Sequence, residues 1–281
     1  MPVLLAFLSG VSFGAGDFFG GLATREEGSS PTVVLWSQVV SVAALAGAVW
    51  WFPTDASAAD LVWGGLSGLA GAAGLMLLYR GLAVGSMSLV APVAAVGAAV
   101  VPVAYGSSVG DRPGLTASIG AAIGLVGVWL LSGDDGGDAG PRWRSPGLAE
   151  AVSSGAAFGL FFILIANTSD DSGLLPLVAA RVASISVLLV VVRSLRGTIR
   201  IEPAAVKPRA GAGFLDITAN ALFLLAARAG SLPVAAVLSS LYPASTVLLA
   251  WSVLGERINQ KRTAGLIAVG AGIALIAVGG T

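Results

Sequence analysis

Two carboxylates stand inside apolar runs of this 281-residue chain, and a charge in such a place is costly unless it is paired or faces a wet cavity. Asp17 lies one helical turn after Phe13, with Gly10, Gly14, Gly20 and Gly21 thinning the run so that neighbours can approach. Asp216 is followed by Asn220 and Phe223 at i+4 and i+7, on one face of a helix. Gln38 and Arg181 are the other strongly polar groups within apolar stretches. Such groups suit proton or cation coupling and the neutralisation of charge, with helix-stabilising carboxylates as the plain alternative. The chain contains no histidine and no cysteine. Ser-His chemistry, histidine metal sites and thiolate chemistry are therefore excluded, proton work falls to Asp, Glu or Tyr, and no metal or cofactor is expected.

The elements that hold these residues are membrane spans. Hydrophobic residues make up 56% of the chain and charged residues 11%, more apolar surface than a globule of this size buries. Apolar segments fall at about 3–24, 31–52, 61–83, 88–108, 115–132, 147–167, 175–194, 210–229, 233–254 and 263–280. The expected fold is an all-α polytopic membrane protein of ten spans without a soluble domain. The opening MPVLLAFLSGVSFGAGDFFG lacks a basic leader region and reads as a retained first helix. At ~1.5 Å per residue from each segment midpoint, Asp17, Asp216 and Gln38 share a depth roughly 5 Å from the midplane. Arg181 falls on the other side, and the resulting ~10 Å gap makes a direct pair with either carboxylate depend on helix tilt.

A constant shift of 145 residues lays the second part of the chain on the first. Ser9 meets Ser154, Gly10 meets Gly155, Phe13 meets Phe158, Gly14 meets Gly159 and Pro31 meets Pro176. The register continues through Gly85-Ser86 on Gly230-Ser231 and Gly120 on Gly265 to Gly127 on Gly272. The Gly/Asp/Pro-rich stretch 134–146 is the expected linker between repeats 1–133 and 147–281. Five spans per repeat is an odd number, so the second repeat enters the membrane inverted, the plan of many secondary transporters. Basic residues crowd the turns after spans 1, 3, 5, 7 and 9, among them Arg25, Arg80, Arg193, Lys207 and Arg257, whereas the opposite turns hold Arg112 and Arg228. The positive-inside rule places the first set in the cytoplasm and both termini outside.

The stretch 239–258, SSLYPASTVLLAWSVLGERI, with Tyr242-Pro243 mid-span, the Leu254-Gly255-Glu256 turn and then Gly265, Gly270 and Gly272, resembles the second repeat of an EamA-type transporter of the drug/metabolite transporter superfamily. That resemblance implies two EamA repeats around a central cavity lined by spans 3, 4, 6 and 9. It brings Tyr79, Tyr105, Phe158, Phe161, Phe162 and Tyr242 forward as cavity aromatics, although Phe at helical spacing is also ordinary packing. It also implies cytoplasmic termini, against the charge rule. Pro92, Pro102, Pro233 and Pro243 in spans 4 and 9 read as hinges or static kinks. Trp50, Trp51, Trp63, Trp129 and Trp143 at span ends read as an interfacial belt, and Gly255-Glu256 as a structural turn.

The expected function is export of a small metabolite, amino acid or drug-like compound by alternating access, with Asp17 and Asp216 for coupling to protons as an antiporter. Phe13, Gln38, Tyr79, Phe158, Phe162, Arg181, Asn220 and Tyr242 are the expected substrate contacts. Expected partners are the substrate, the lipid bilayer and protons, with no nucleic acid; the chain is read as a monomer or homodimer, multi-pass in the bacterial inner membrane. The alternatives are a membrane enzyme or flippase for lipid-linked substrates and a non-transporting partner subunit. An enzyme would need clustered carboxylates, and Asp134, Asp135 and Asp138 cluster only among linker glycines.

Overall fold

Ser9 and Ser154 show how the helices are tied together. In a computed structural model that describes residues 1–27, 30–52, 54–84, 87–131, 147–194, 206–254 and 260–279, both serines are fully buried, and each spends its hydroxyl on the backbone of a distant helix. Without water to satisfy it, a buried hydroxyl must find a carbonyl in a neighbouring helix, and that bond sets the register of the pair. Ser9 donates to the Ala219 carbonyl at 2.8 Å, and Ser154 donates to the Gly74 carbonyl at 2.8 Å. Shifting Ser9 and Gly74 by 145 gives Ser154 and Ala219, so these are one bond made twice.

Eleven α-helices account for most of the described residues: α1 (Pro2–Glu27), α2 (Ser30–Ala48), α3 (Ala58–Val84), α4 (Met87–Ser108), α5 (Leu115–Leu131), α6 (Leu148–Ala166), α7 (Leu175–Ser194), α8 (Val206–Ala229), α9 (Leu232–Ser240), α10 (Pro243–Leu254) and α11 (Gln260–Gly279). Among the described residues, seven stretches are long and apolar enough to cross a membrane. Three shorter apolar helices, Val93–Ser108, Leu115–Leu130 and Thr263–Ile276, fall on the remaining expected spans. The chain is thus a multi-pass membrane protein. Trp50 and Trp51 are 84% and 85% exposed, as side chains of an interfacial belt must be.

Helix partners come in matched sets. α1 packs on α8 as α6 packs on α3, α2 on α8 as α7 on α3, and α1 on α9 as α6 on α4. The pairs α2 with α7, α4 with α9 and α5 with α11 complete the pattern. Close approach rests on small residues. A Cβ on Gly10 would lie 2.8 Å from the Leu238 carbonyl oxygen, and one on Gly155 would lie 2.7 Å from the Ala94 carbonyl oxygen. Few real contacts are so short, so each glycine lets a backbone come where a side chain cannot. At the edge of the molecule, α5 and α11 run against each other through Gly120 on Gly272 and Gly127 on Gly265.

The ninth expected span departs from the continuous helix read in the sequence. It stops at Ser240, turns through Leu241 and Tyr242, and restarts with Pro243 as the first residue of α10. Proline fits there because its missing donor is one a helix start leaves unused anyway. Pro102 behaves differently, lying within the unbroken α4. The linker 134–146, the Gly255-Glu256 turn, Gly85-Ser86, Trp143 and the side chains of Arg25 and Tyr79 lie outside the described residues.

Candidate functional site

Arg181 is the hub of a polar cluster deep in the helix bundle. From α7, only 6% exposed, it donates from Nη1 to Gln38 Oε1 of α2 at 2.7 Å and from Nη2 to Asp216 Oδ2 of α8 at 2.7 Å. Helical spacing supplies the rest. Ser184, three residues on from Arg181, donates to the Arg181 carbonyl at 3.0 Å and faces Gln38 Oε1 at 3.4 Å. Asn220, four residues after Asp216, donates to the Asp216 carbonyl at 2.7 Å and to its Oδ1 at 3.3 Å. α2 reaches α8 because Gly213 presents no side chain to Ser37, and Ser41 donates to the Gly213 carbonyl at 2.8 Å. Arg181 Nε has no hydrogen-bond partner among the described residues.

This pairing corrects the depth reading of the sequence. Arg181 was expected on the far side of the midplane, with a direct pair awkward; its long side chain crosses the gap and meets Asp216 head on. Asp216, Gln38 and Asp17 do border one recess of ≈ 30 Å³, as their common depth implied.

Asp17 is placed differently from its partner carboxylate. It comes from α1, beside Gly16, whose backbone lies against the Asp216 amide, and it borders the same recess as Asp216. No hydrogen bond or ion pair to Asp17 is found among the described residues. Asp17, Asp216, Arg181 and Asn220 all border a central cavity of ≈ 70 Å³, enough for a few water molecules. Phe13, Phe158, Phe161, Phe162 and Tyr242 supply its aromatic lining. Phe162 is the centre of that group, stacked on Phe223 at 4.1 Å, edge-on to Phe161 at 5.7 Å and tilted to Phe13 at 6.2 Å. Tyr105 does not border the cavity. Tyr242 does, because the break between α9 and α10 sets it there.

The repeat relation divides this cavity into two walls. Phe13 and Phe158 are equivalent positions and both line it. Where the charges stand, equivalence fails: Asp17 corresponds to Phe162, Asp216 to Gly71 and Asn220 to Leu75, and all six border the same space. One wall is polar and its counterpart is apolar.

Toward the face that bears the N-terminus, a second polar network ties the bundle shut. Asp60, 4% exposed at the start of α3, accepts from Ser57 N at 2.9 Å and Ser57 Oγ at 2.6 Å in a helix-capping arrangement. The same carboxylate accepts from Ser169 N at 2.7 Å and Ser169 Oγ at 3.0 Å, in the connection between α6 and α7. Arg228, at the end of α8, donates to the Gly173 carbonyl, Thr168 Oγ1 and Ser172 Oγ at 2.9, 2.8 and 2.8 Å, with Asp170 at 3.6 Å. Asp111 closes the neighbouring corner by accepting from Leu232 N at 3.0 Å. On the opposite face, Arg80 and Glu150 pair at 3.4 Å. Neither Asp60 nor Arg228 was expected at a site from the sequence, where Arg228 served as a topology signal. A Ser three residues before an Asp at a helix start was the available sign for Asp60.

Comparison with known proteins bears on both halves of the chain. One solved structure, carrying only the name "Crystal structure of protein", is similar with a TM-score of 0.75 at 17% identity, over 99% of this chain and 96% of that chain. That likeness speaks for the fold alone. No curated protein matches the chain. The EamA-like transporter family matches residues 145–278. That match falls on the second half of the chain and makes it similar to a family of membrane transporters.

Proposed function

We propose that the chain is a ten-span secondary transporter, built of inverted repeats 1–133 and 147–281, that exports a small metabolite, amino acid or drug-like compound across a bacterial inner membrane. The observation that carries this reading is the cavity among α1, α3, α6, α7 and α8, which brings Asp17, Asp216 and Arg181 together with a cluster of aromatic rings. The matched helix partners and the doubled Ser9 and Ser154 bonds support the repeat. Alternating access then amounts to the halves rocking about the cavity. At ≈ 70 Å³ the space is contracted, since a drug-sized ligand occupies a pocket of roughly 300 Å³ or more. With the Asp60 and Arg228 networks closed, opening proceeds toward the face where Arg80 and Glu150 sit. Asp17, facing Asp216 without a counter-ion of its own, is the group through which proton antiport is driven. Phe13, Phe158, Phe162, Asn220, Gln38, Tyr79 and Tyr242 are the proposed substrate contacts.

Mass spectrometry of the medium from cells expressing the wild-type chain, the Asp17→Asn variant or an empty vector tests the reading. A compound class that accumulates outside only with the wild type supports export. Unchanged media, with the protein present in the membrane, count against it.

A further inference from the structure

The cavity is the place where charge, aromatic surface and repeat asymmetry coincide, and together they specify a cargo. Among the groups bordering it, Arg181 carries one positive charge and Asp17 and Asp216 carry one negative charge each when ionised. Asp216 meets Arg181 at 2.7 Å, and Gln38 takes the other terminal nitrogen at 2.7 Å. Among the described residues of the lining, Asp17 is left as the unopposed charge. Arg209, seven residues before Asp216 on α8, does not border the cavity.

We infer that the cargo is a monovalent organic cation with an apolar body, its charged head held by Asp17 and its body laid on the wall opposite. This inference rests on the transporter reading of the same cavity. An anion would add a third negative group to the lining. A zwitterion's carboxylate would need Arg181, which would first have to leave both Asp216 and Gln38. A neutral compound meets Asp17 without cost only when the carboxyl is protonated, and gives the ionised form no partner, the costly arrangement for a charge in a membrane protein. A cation satisfies Asp17 and finds a second favourable surface in Phe13, one turn before Asp17, and Phe162, whose rings lie 6.2 Å apart. The apolar body meets Leu75, Phe158 and Phe161. Two of these walls are equivalent positions in the repeat: Phe162 stands where the other half has Asp17, and Leu75 where it has Asn220. The halves therefore present a charge-binding surface and an oily surface to one small space, which fits a molecule with the same two ends.

The test uses the purified full chain and four probes that share a benzyl group: benzyltrimethylammonium, benzyl alcohol, phenylacetate and phenylalanine. Equilibrium binding is measured in detergent, and movement by counterflow in proteoliposomes. The expected result is binding and movement of benzyltrimethylammonium at least about tenfold above the other three. Asp17→Asn is expected to weaken that binding by about tenfold or more, and Asp17→Glu to retain it. Preference for phenylacetate or phenylalanine, or equal handling of benzyl alcohol, overturns the cation class while leaving the transporter reading in place. Cation binding without movement keeps the class and overturns transport. No binding and no movement of any probe overturns both. The comparison of probes on the wild-type chain decides the class even where the Asp17→Asn protein fails to fold.

Discussion

Arg181 and Asp216 form the central ion pair of the bundle, Nη2 to Oδ2 at 2.7 Å, joining α7 to α8 beside the cavity. A buried pair of this kind is worth little against a well-packed apolar substitute, but removing one partner strands the other. Its meaning is therefore structural and functional at once, and the two contributions separate by mutation.

Replacing Arg181 with Met alone leaves Asp216 uncompensated and is expected to cost about 3–5 kcal/mol of stability. The double variant Arg181→Met, Asp216→Leu recovers most of that loss yet does not transport. Thermal unfolding in detergent alongside counterflow checks both halves of the statement; transport by the double variant would make the pair purely structural.

Asp17 has no ion pair among the described residues, so Asp17→Asn is expected to unfold within a few degrees of the wild type. Whatever transport survives in Asp17→Asn should be flat across about pH 5 to 8, because the group that takes up the coupling proton is gone. Initial rates in proteoliposomes over that range are the measurement, and a retained pH profile would move coupling elsewhere.

Ser9→Ala and Ser154→Ala remove the same bond in two places. Each lost bond is expected to cost on the order of 0.6–1.7 kcal/mol, as interhelical hydrogen bonds in membranes do, and Ser9→Ala costs the more because Ser239 Oγ also donates to Ser9 Oγ at 3.1 Å. Their effects add when combined, since the two sites share no partner. A negligible cost at either site would count against matched repeats.

The Asp60 and Arg228 networks are testable with a single introduced thiol, because the chain has no cysteine of its own. Ser240 borders the cavity, so Ser240→Cys reports access to it. A membrane-impermeant maleimide applied from the N-terminal face should label this cysteine at least about tenfold faster once Asp60→Ala and Arg228→Ala are added, corresponding to about 1.4 kcal/mol lost from the closed state. Unchanged labelling would mean that the networks do not hold this face shut.

Much of this architecture was legible in the residues. Hydropathy gave the helix positions, and Ser9 and Ser154, matched by the 145-residue shift, donate to Ala219 and Gly74, which the same shift relates. Asp17, Asp216, Arg181, Asn220, Phe13, Phe158, Phe162 and Tyr242 do border one cavity. Three features were hidden, each for a physical reason. The break at Leu241 and Tyr242 is made of apolar residues, so hydropathy runs through it without a dip. Depths counted from segment midpoints locate backbones, and an arginine guanidinium ends far from its own backbone; hence the Arg181 pair was underrated. Asp60 and Arg228 sit at helix ends where solvated charge is ordinary, and only the fold shows that the connection between α6 and α7 covers them.

Asp60 and Arg228 are not repeated by residue type across the 145-residue shift. The equivalent positions are Ala205 and Ala83, which can form neither the capping bonds nor the cationic tie. Two identical halves would make a seesaw, as content tipped one way as the other. Fastening one end alone turns it into a sprung door: the fold stands closed on the face of the N-terminus, and in the proposed cycle work must be supplied to open it there before it falls shut again.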